Sequence, residues 1–154
     1  MFYIADLHVH SRFSRATSKE LNLETLYQWA RMKGIHVVAT GDFTHPQWFK
    51  EIREKLEPDG NGFFRLKNPP RNPALPGTKV RETDVRFCLS TEISSIYKHG
   101  DKVRKNHNLV YAPDFDTVAR INAKLSTIGN LTADGRRILG LPSRDLLEIV
   151  TESS

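Results

Sequence analysis

Two histidines stand one residue apart in the stretch ADLHVHS at residues 5–11, just after the short apolar run 1–5. In an extended chain, positions i and i+2 point to the same face. His8 and His10 can therefore close on one cation, and Asp6, two residues earlier, is placed to orient a ligand from behind. Three further donors lie in strand-like or turn-like frames: Asp42 in ATGDFTHP, Glu92 in FCLSTEIS and His107 in NHNLVYA. A carboxylate in a frame as apolar as that around Glu92 must be paired, protonated or bound to a metal, because an unpaired buried charge is too costly.

His8, His10, Asp42, Glu92 and His107 are nitrogen and oxygen donors suited to Zn2+ or Mn2+, and Glu92 can bridge two ions. Paired ions about 3.5–4 Å apart suit phosphoester displacement, where they activate water and stabilise both oxygens. Each residue also has a plainer reading. Asp42 can be a turn or N-cap residue ahead of Pro46, Glu92 can pair with an arginine, and His107 can be a satisfied core histidine. His45, directly before Pro46, reads as a turn residue.

The elements that must position these donors follow from periodicity. Residues 2–7 read as a buried strand, Asn22 as the N-cap of a helix carrying Leu23, Leu26, Tyr27 and Ala30, Gly34 as its stop, and 35–40 as a second strand. That order is a βαβ crossover, which makes a parallel sheet. Pro46 opens a further helix with Trp48, Phe49, Ile52 and Leu56. The donors then fall at the carboxyl ends of parallel strands, where α/β folds gather their chemistry.

Residues 58–84 hold five of the eight prolines and scattered Arg65, Lys67, Arg71, Lys79 and Arg81. They read as a long Pro-rich insertion loop near a site. From Val85 strand character returns, with a hairpin turn at Lys98-His99-Gly100-Asp101. A His99-Gly100 loop puts Lys98 opposite Asp101 and Glu92 opposite His107, with Cβ atoms roughly 5 Å apart. Asp114 or Asp116 caps a helix with Val118, Ile121 and Leu125. A polar connector follows, and Ser143 begins a last helix with Leu146, Leu147 and Val150.

The 154 residues are 38% apolar and 27% charged, the composition of one globular domain. No apolar run is long enough for a membrane span, and no signal peptide is evident, so the expectation is a cytoplasmic protein. The single cysteine, Cys88, excludes a disulfide framework or a cysteine zinc site, and reads as buried and inert. A formal charge of +5 is compatible with a polyanionic partner without requiring one.

The stretch DLHVHS, the acid after the second strand, TEIS and the later HNL together resemble the PHP (polymerase and histidinol phosphatase) superfamily of metal-dependent phosphoesterases. DLHVHSRFSRATSKELNL, ATGDFTHPQW, STEISSIYKHGDKVRKNHNLVYAPDF and INAKL most resemble PHP domains of the endonuclease Q type. The resemblance implies an α/β fold, the N-terminal portion of a distorted (β/α)7 barrel, over residues 1–154. It implies a multinuclear site of Zn2+ or related ions (Mn2+, Mg2+), ligated by His8, His10, Asp42, Glu92 as the bridging carboxylate, and His107. DNA cleavage beside deaminated bases is the implied activity, DNA the implied partner, and a fused or associated helicase-like region is compatible with it.

Two departures accompany the resemblance. Arg15 stands where many PHP proteins carry Asp or His, and with Arg12 it is a candidate phosphate contact, or simply a solvated surface cation. A later His and an Asp-x-His have no counterpart before Ser154, so the expectation is an incomplete domain with weak metal retention, little activity and a tendency to associate. The other readings are a small-molecule phosphatase of the histidinol-phosphatase type and a non-catalytic, degenerate PHP module that binds DNA or a partner.

Overall fold

The computed structural model describes residues 2–72, 75–77, 84–132, 134–135 and 137–154. The chain begins with β1 (Ala5–Asp6), α1 (Leu23–Lys33) and β2 (Val37–Ala39), and β1 and β2 pair in parallel. This is the expected βαβ unit, with shorter strands. Asn22 caps α1 by accepting the Thr25 N–H at 2.9 Å, and Gly34 ends it at φ +72°, a left-handed conformation that glycine adopts without a Cβ clash. Helix α2 (Pro46–Lys55) follows, its proline in the first turn where no N–H is needed.

The beginning of the expected 58–84 loop is instead an antiparallel hairpin of β3 (Leu56–Pro58) and β4 (Phe63–Leu66). Phe64 and Leu66 alternate inward on β4 and are buried, a period-two signal too short to stand out among the surrounding prolines and glycines. Pro73, Lys79 and Arg81 of that loop lie outside the described residues.

Strand β5 (Arg86–His99) is the hub of the sheet. It pairs in parallel with β2, antiparallel with β4 and β6 (Lys102–Ala112), and in parallel with β7 (Arg137–Leu139). The described residues therefore form a mixed α/β fold with a seven-stranded sheet in which β1, β2, β5, β4 and β3 lie side by side. Strand β7 falls within the stretch expected to be a polar connector. Helix α3 (Phe115–Ser126) is capped by Asp114, whose carboxylate accepts the Thr117 N–H at 2.7 Å, and α4 (Ser143–Thr151) closes the described chain.

The β5–β6 register differs from expectation. His99 pairs with Lys102, so Gly100-Asp101 is the two-residue loop, and Glu92 lies opposite Leu109 while His107 lies opposite Ser94. The slip is two residues. Because side chains alternate with period two, Glu92 and His107 remain on one face as diagonal neighbours.

The core between sheet and helices is built from fully buried Trp48, Phe43, Phe64, Phe87, Leu89 and Ile121, among others. Each large side chain of this kind contributes roughly 1.5–3 kcal/mol on burial. The opening run is not part of it. Phe2, Tyr3 and Ile4 are 95%, 69% and 54% exposed, because β1 is an outer strand that pairs with β2 alone among the described residues. Cys88 is half-buried in β5, and desolvation pushes its thiol pKa up to about 11, so it stays protonated at neutral pH. No helix among the described residues is long and apolar enough to cross a membrane.

Candidate metal centre

The cluster forms where the segment after β1 meets the turn after β2. Gly41 permits that meeting. At φ +63°, a Cβ there would lie 2.4 Å from the Val9 carbonyl oxygen, so a larger residue would push the histidine segment away. Asp42 also takes a positive φ of 50°, which Asp tolerates better than most residues. The turn is pinned from below. The Trp48 indole N–H reaches the Thr40 and Gly41 carbonyls at 3.2 and 2.9 Å, and Ser90 Oγ accepts the Gly41 N–H at 3.0 Å. From β6, the Tyr111 hydroxyl donates to the Leu7 carbonyl at 2.9 Å and holds the chain beside His8.

Three imidazoles converge on Glu92. His8 Nε2 and His10 Nε2 lie 2.7 and 3.2 Å from Oε2, and His107 Nδ1 is hydrogen-bonded to Oε1. No arginine among the described residues takes part in this pairing. The Glu92 side chain is 2% exposed, whereas His8 and His107 are 52% and 61% exposed, so the cluster is closed behind and open in front. Burial opposes ionisation of Glu92, but the hydrogen bonds from His8 and His107 and the nearby His10 outweigh it, and its pKa falls below the usual carboxylate value.

Asp42 stands one layer back. Its Oδ1 lies 3.0 Å from His10 Nδ1, while Oδ2 accepts from the Ser11 N–H, the Ser11 hydroxyl and the Ser14 hydroxyl at 2.6, 2.7 and 2.9 Å. Burial raises its pKa, but these hydrogen bonds, led by that of His10, more than offset the rise, and the carboxylate is held below its ordinary value. With Nδ1 engaged by Asp42, His10 presents Nε2 to Glu92, the arrangement by which a carboxylate fixes the tautomer of a ligating histidine.

Ligand atoms of His8, His10 and Glu92 lie within 4.8 Å of one another, so this group can hold a metal ion. Neighbouring ligands on a tetrahedral Zn2+ with bonds of about 2.0–2.1 Å are about 3.3 Å apart, a separation that His10 Nε2 and Glu92 Oε2 match at 3.2 Å, while His8 Nε2 stands nearer, at 2.7 Å from the same oxygen. The donor set of imidazoles and a buried carboxylate thus fits a divalent cation. His107 lies outside this group and is hydrogen-bonded through Nδ1 to the other oxygen of Glu92. Asp42 is close to the cluster but has both oxygens occupied by His10 and the two serines.

The remaining candidates separate cleanly. Arg12 is committed to Glu51, with Nη2 2.5 Å from Oε1, and lies over the Phe13 ring. Arg15 is 87% exposed, forms an ion pair with Asp134 at 3.2 Å, and lines a cavity of about 500 Å3 together with His107, Lys105 and Arg137. Asp6 is half-buried in β1, and the carboxylate that orients a histidine is Asp42. His45 stacks on Phe13 with centroids 4.2 Å apart, outside the ligand group. Ser11, Ser14 and Gly135 were not singled out by sequence. The first two carry the Asp42 network, and Gly135 packs on it so closely that an added Cβ would be 2.5 Å from both Asp42 Oδ2 and Ser14 Oγ.

No protein-family model matches the chain. The uncharacterized protein MJ0043 of Methanocaldococcus jannaschii is 30% identical over 148 residues, covering 96% of this chain and 14% of that protein. Among solved structures, the lesion-specific endonuclease PfuEndoQ from Pyrococcus furiosus matches with a TM-score of 0.74 and 27% identity, over 97% of this chain and 32% of that one. The chain is similar to endonuclease Q. A second structure, endonuclease Q in complex with a 27-mer duplex with an abasic lesion at the active site, matches with a TM-score of 0.74 and 28% identity, over 96% of this chain and 32% of that one. The chain thus spans well under half the length of each of these proteins.

Proposed function

We propose that residues 1–154 form the N-terminal part of a PHP-type metal-dependent phosphoesterase domain, and that the reaction is endonucleolytic cleavage of DNA at damaged bases. The observation that carries this reading is the convergence of His8, His10 and His107 on the buried Glu92, in a chain whose fold is similar to a lesion-specific endonuclease. Glu92, His8, His10 and His107 are the groups that would hold Zn2+, Mn2+ or Mg2+. A divalent cation bound there supplies the positive charge that polarises a phosphodiester and lowers the pKa of an attacking water.

The chain's own residues do the positioning. Asp42 fixes the ring of His10, and the buried Glu92 keeps its negative charge at neutral pH because hydrogen bonds favour its ionised form. The exposed edges of His8 and His107 leave the front of the cluster open to a phosphodiester. Arg15, paired with Asp134 but exposed on the rim of the adjoining cavity, is placed to meet a phosphate, whereas Arg12 is held by Glu51 and less exposed.

The test compares wild-type protein with the double variant His8→Ala, His10→Ala. Elemental analysis should find divalent metal in the first and little in the second, with the circular dichroism of both alike. Protein carrying the complete domain should nick duplex DNA with uracil, hypoxanthine or an abasic site in preference to undamaged duplex and to p-nitrophenyl phosphate. Equal metal content in the two proteins overturns the site, and a preference for the monoester favours a small-molecule phosphatase.

A further inference from the structure

Beyond the cluster, β5 and β6 continue as a two-stranded ribbon whose end, residues 98–106, is exposed on both strands. It carries Lys98, Lys102, Arg104 and Lys105, and none of these makes an ion pair among the described residues. Their distribution between the two faces is uneven in a way that matters. Ser94 lies opposite His107, Ile96 opposite Lys105 and Lys98 opposite Val103. Directly opposed residues share a face, and so do residues two apart on one strand. Lys98 and Lys105 therefore share the face of Glu92 and His107, while Lys102 and Arg104 point to the other side.

We propose that the cluster-side face of this ribbon is a phosphate track for duplex DNA, with Lys105 and Lys98 contacting the backbone of the strand that leads to the metal centre. The inference rests on the nuclease reading above and adds the residues that hold the flanking DNA. Along the ribbon, Lys105 stands about 7 Å and Lys98 about 14 Å beyond the level of His107. Both cations therefore fall within reach of the first few phosphates of a strand that leads away from the scissile position. Lys105 also lines the cavity shared with His107 and Arg15, so the track begins at the cluster itself. A ribbon of two strands has the width that a DNA groove admits, and unpaired lysines on it release counterions from the phosphates they meet.

The face assignment makes this testable with charge-matched variants. Lys98→Glu with Lys105→Glu is compared with Lys102→Glu with Arg104→Glu, which changes net charge equally on the opposite face. Binding of a fluorescent duplex is followed by anisotropy across a salt series, with thermal unfolding as a check that both variants fold. The cluster-side pair should weaken binding at least about 10-fold and reduce the slope of log K against log salt by about 2. The opposite pair should change binding by less than about 3-fold. Equal losses from the two pairs, no loss from the cluster-side pair, or equally tight binding of polyglutamate would each overturn the track. Hydrolysis of bis(p-nitrophenyl) phosphate by protein carrying the complete domain is measured separately. Its absence counts against the nuclease reading, while the binding comparison still decides the ribbon.

Discussion

His10 is held between two carboxylates: its Nδ1 lies 3.0 Å from Asp42 Oδ1 and its Nε2 lies 3.2 Å from Glu92 Oε2. The two contacts are not equivalent. Asp42 has its second oxygen filled by three donors from Ser11 and Ser14, so it is an immobile acceptor that favours a proton on Nδ1. Glu92 is shared with His8 and His107, and the lone pair of His10 that faces it is the one available to a cation.

Asp42→Asn tests this division of roles, since Asn tolerates the positive φ at this position. An amide cannot accept from both Ser11 and His10. If its oxygen stays with Ser11, its NH2 faces Nδ1 and drives the proton of His10 to Nε2, the wrong tautomer for ligation. Metal affinity, measured by chelator competition, should fall roughly 10–100-fold, with a loss of stability of about 1–3 kcal/mol. The pH response follows from the lowered pKa of Asp42. Its contribution is complete above the unfolded value of about 3.9 and is lost as pH falls through the folded one. The variant should lose that part of the acid sensitivity of metal-free protein in urea unfolding.

Gly41→Ala should be among the most damaging single substitutions near the site. A left-handed backbone costs an alanine about 1–2 kcal/mol, and the Cβ, 2.4 Å from the Val9 oxygen, must in addition displace the segment carrying His8 and His10. Gly100→Ala is the control. It has a similar φ of 59° but nothing within 4 Å of the added carbon, so it carries the backbone cost alone. Thermal unfolding and metal content should both drop for Gly41→Ala, and only the former, by a smaller amount, for Gly100→Ala.

These contacts mark where the sequence stops being legible. That His8, His10, Glu92 and His107 could converge was readable from residue type and strand alternation, and the βαβ unit and the caps Asn22 and Asp114 from periodicity and local hydrogen bonding. The two-residue slip of the hairpin did not spoil the site, because an even shift preserves the face. The hold of Ser11 and Ser14 on Asp42 and the fit of Gly135 depend on segments distant in the chain, and small residues carry no periodic signal. Strand β7 was hidden for a related reason. Arg137 at its start is buried, with its guanidinium bonded to the Asn130 and Leu131 carbonyls, so a polar residue marks an inward position. The exposed run 2–4 misled in the opposite direction, since apolar composition alone does not reveal that a strand lies at an edge.

His45 supplies a second pH effect, in a higher window. Burial lowers its pKa, and the positive charge of Arg137 lowers it further, against smaller opposing effects of Asp42 and Asp134. The folded state therefore keeps His45 neutral while the unfolded chain protonates near its ordinary value of about 6.5. Stability is complete above that value and declines as pH falls towards the folded pKa. His45→Phe keeps the stack on Phe13 and removes the titrating group together with its hydrogen bond to the Thr132 backbone, a loss that lowers the midpoint at every pH and leaves the pH dependence as the readout. Urea midpoints of the wild type should fall more than those of the variant between pH 7.5 and 5.5. Parallel curves would refute the assignment.

Gly135→Ala asks whether His10 can be disturbed from a residue that does not touch it. The backbone at Gly135 lies outside the positive-φ region, so an alanine is not strained there by conformation, only by space. Its Cβ would sit 2.5 Å from Asp42 Oδ2 and from Ser14 Oγ. Neither atom is a loose end, because the carboxylate is buried and held by Ser11 and Ser14 while Ser14 is itself bonded to it. The shift must therefore pass to Asp42, and through Oδ1 to the ring of His10. Overpacking of this kind costs about 1–3 kcal/mol, and metal affinity should fall in the same direction as for Asp42→Asn. The histidine side-chain nitrogen NMR signals give a direct readout, with His10 moving and the remote His99 not. Gly140→Ala, whose added carbon meets nothing nearer than 4.0 Å, should leave both metal affinity and the His10 signals as in the wild type. Unchanged His10 signals in Gly135→Ala would mean that Asp42 yields without moving the ring, and the chain of contacts from Gly135 to the cluster would be broken at that link.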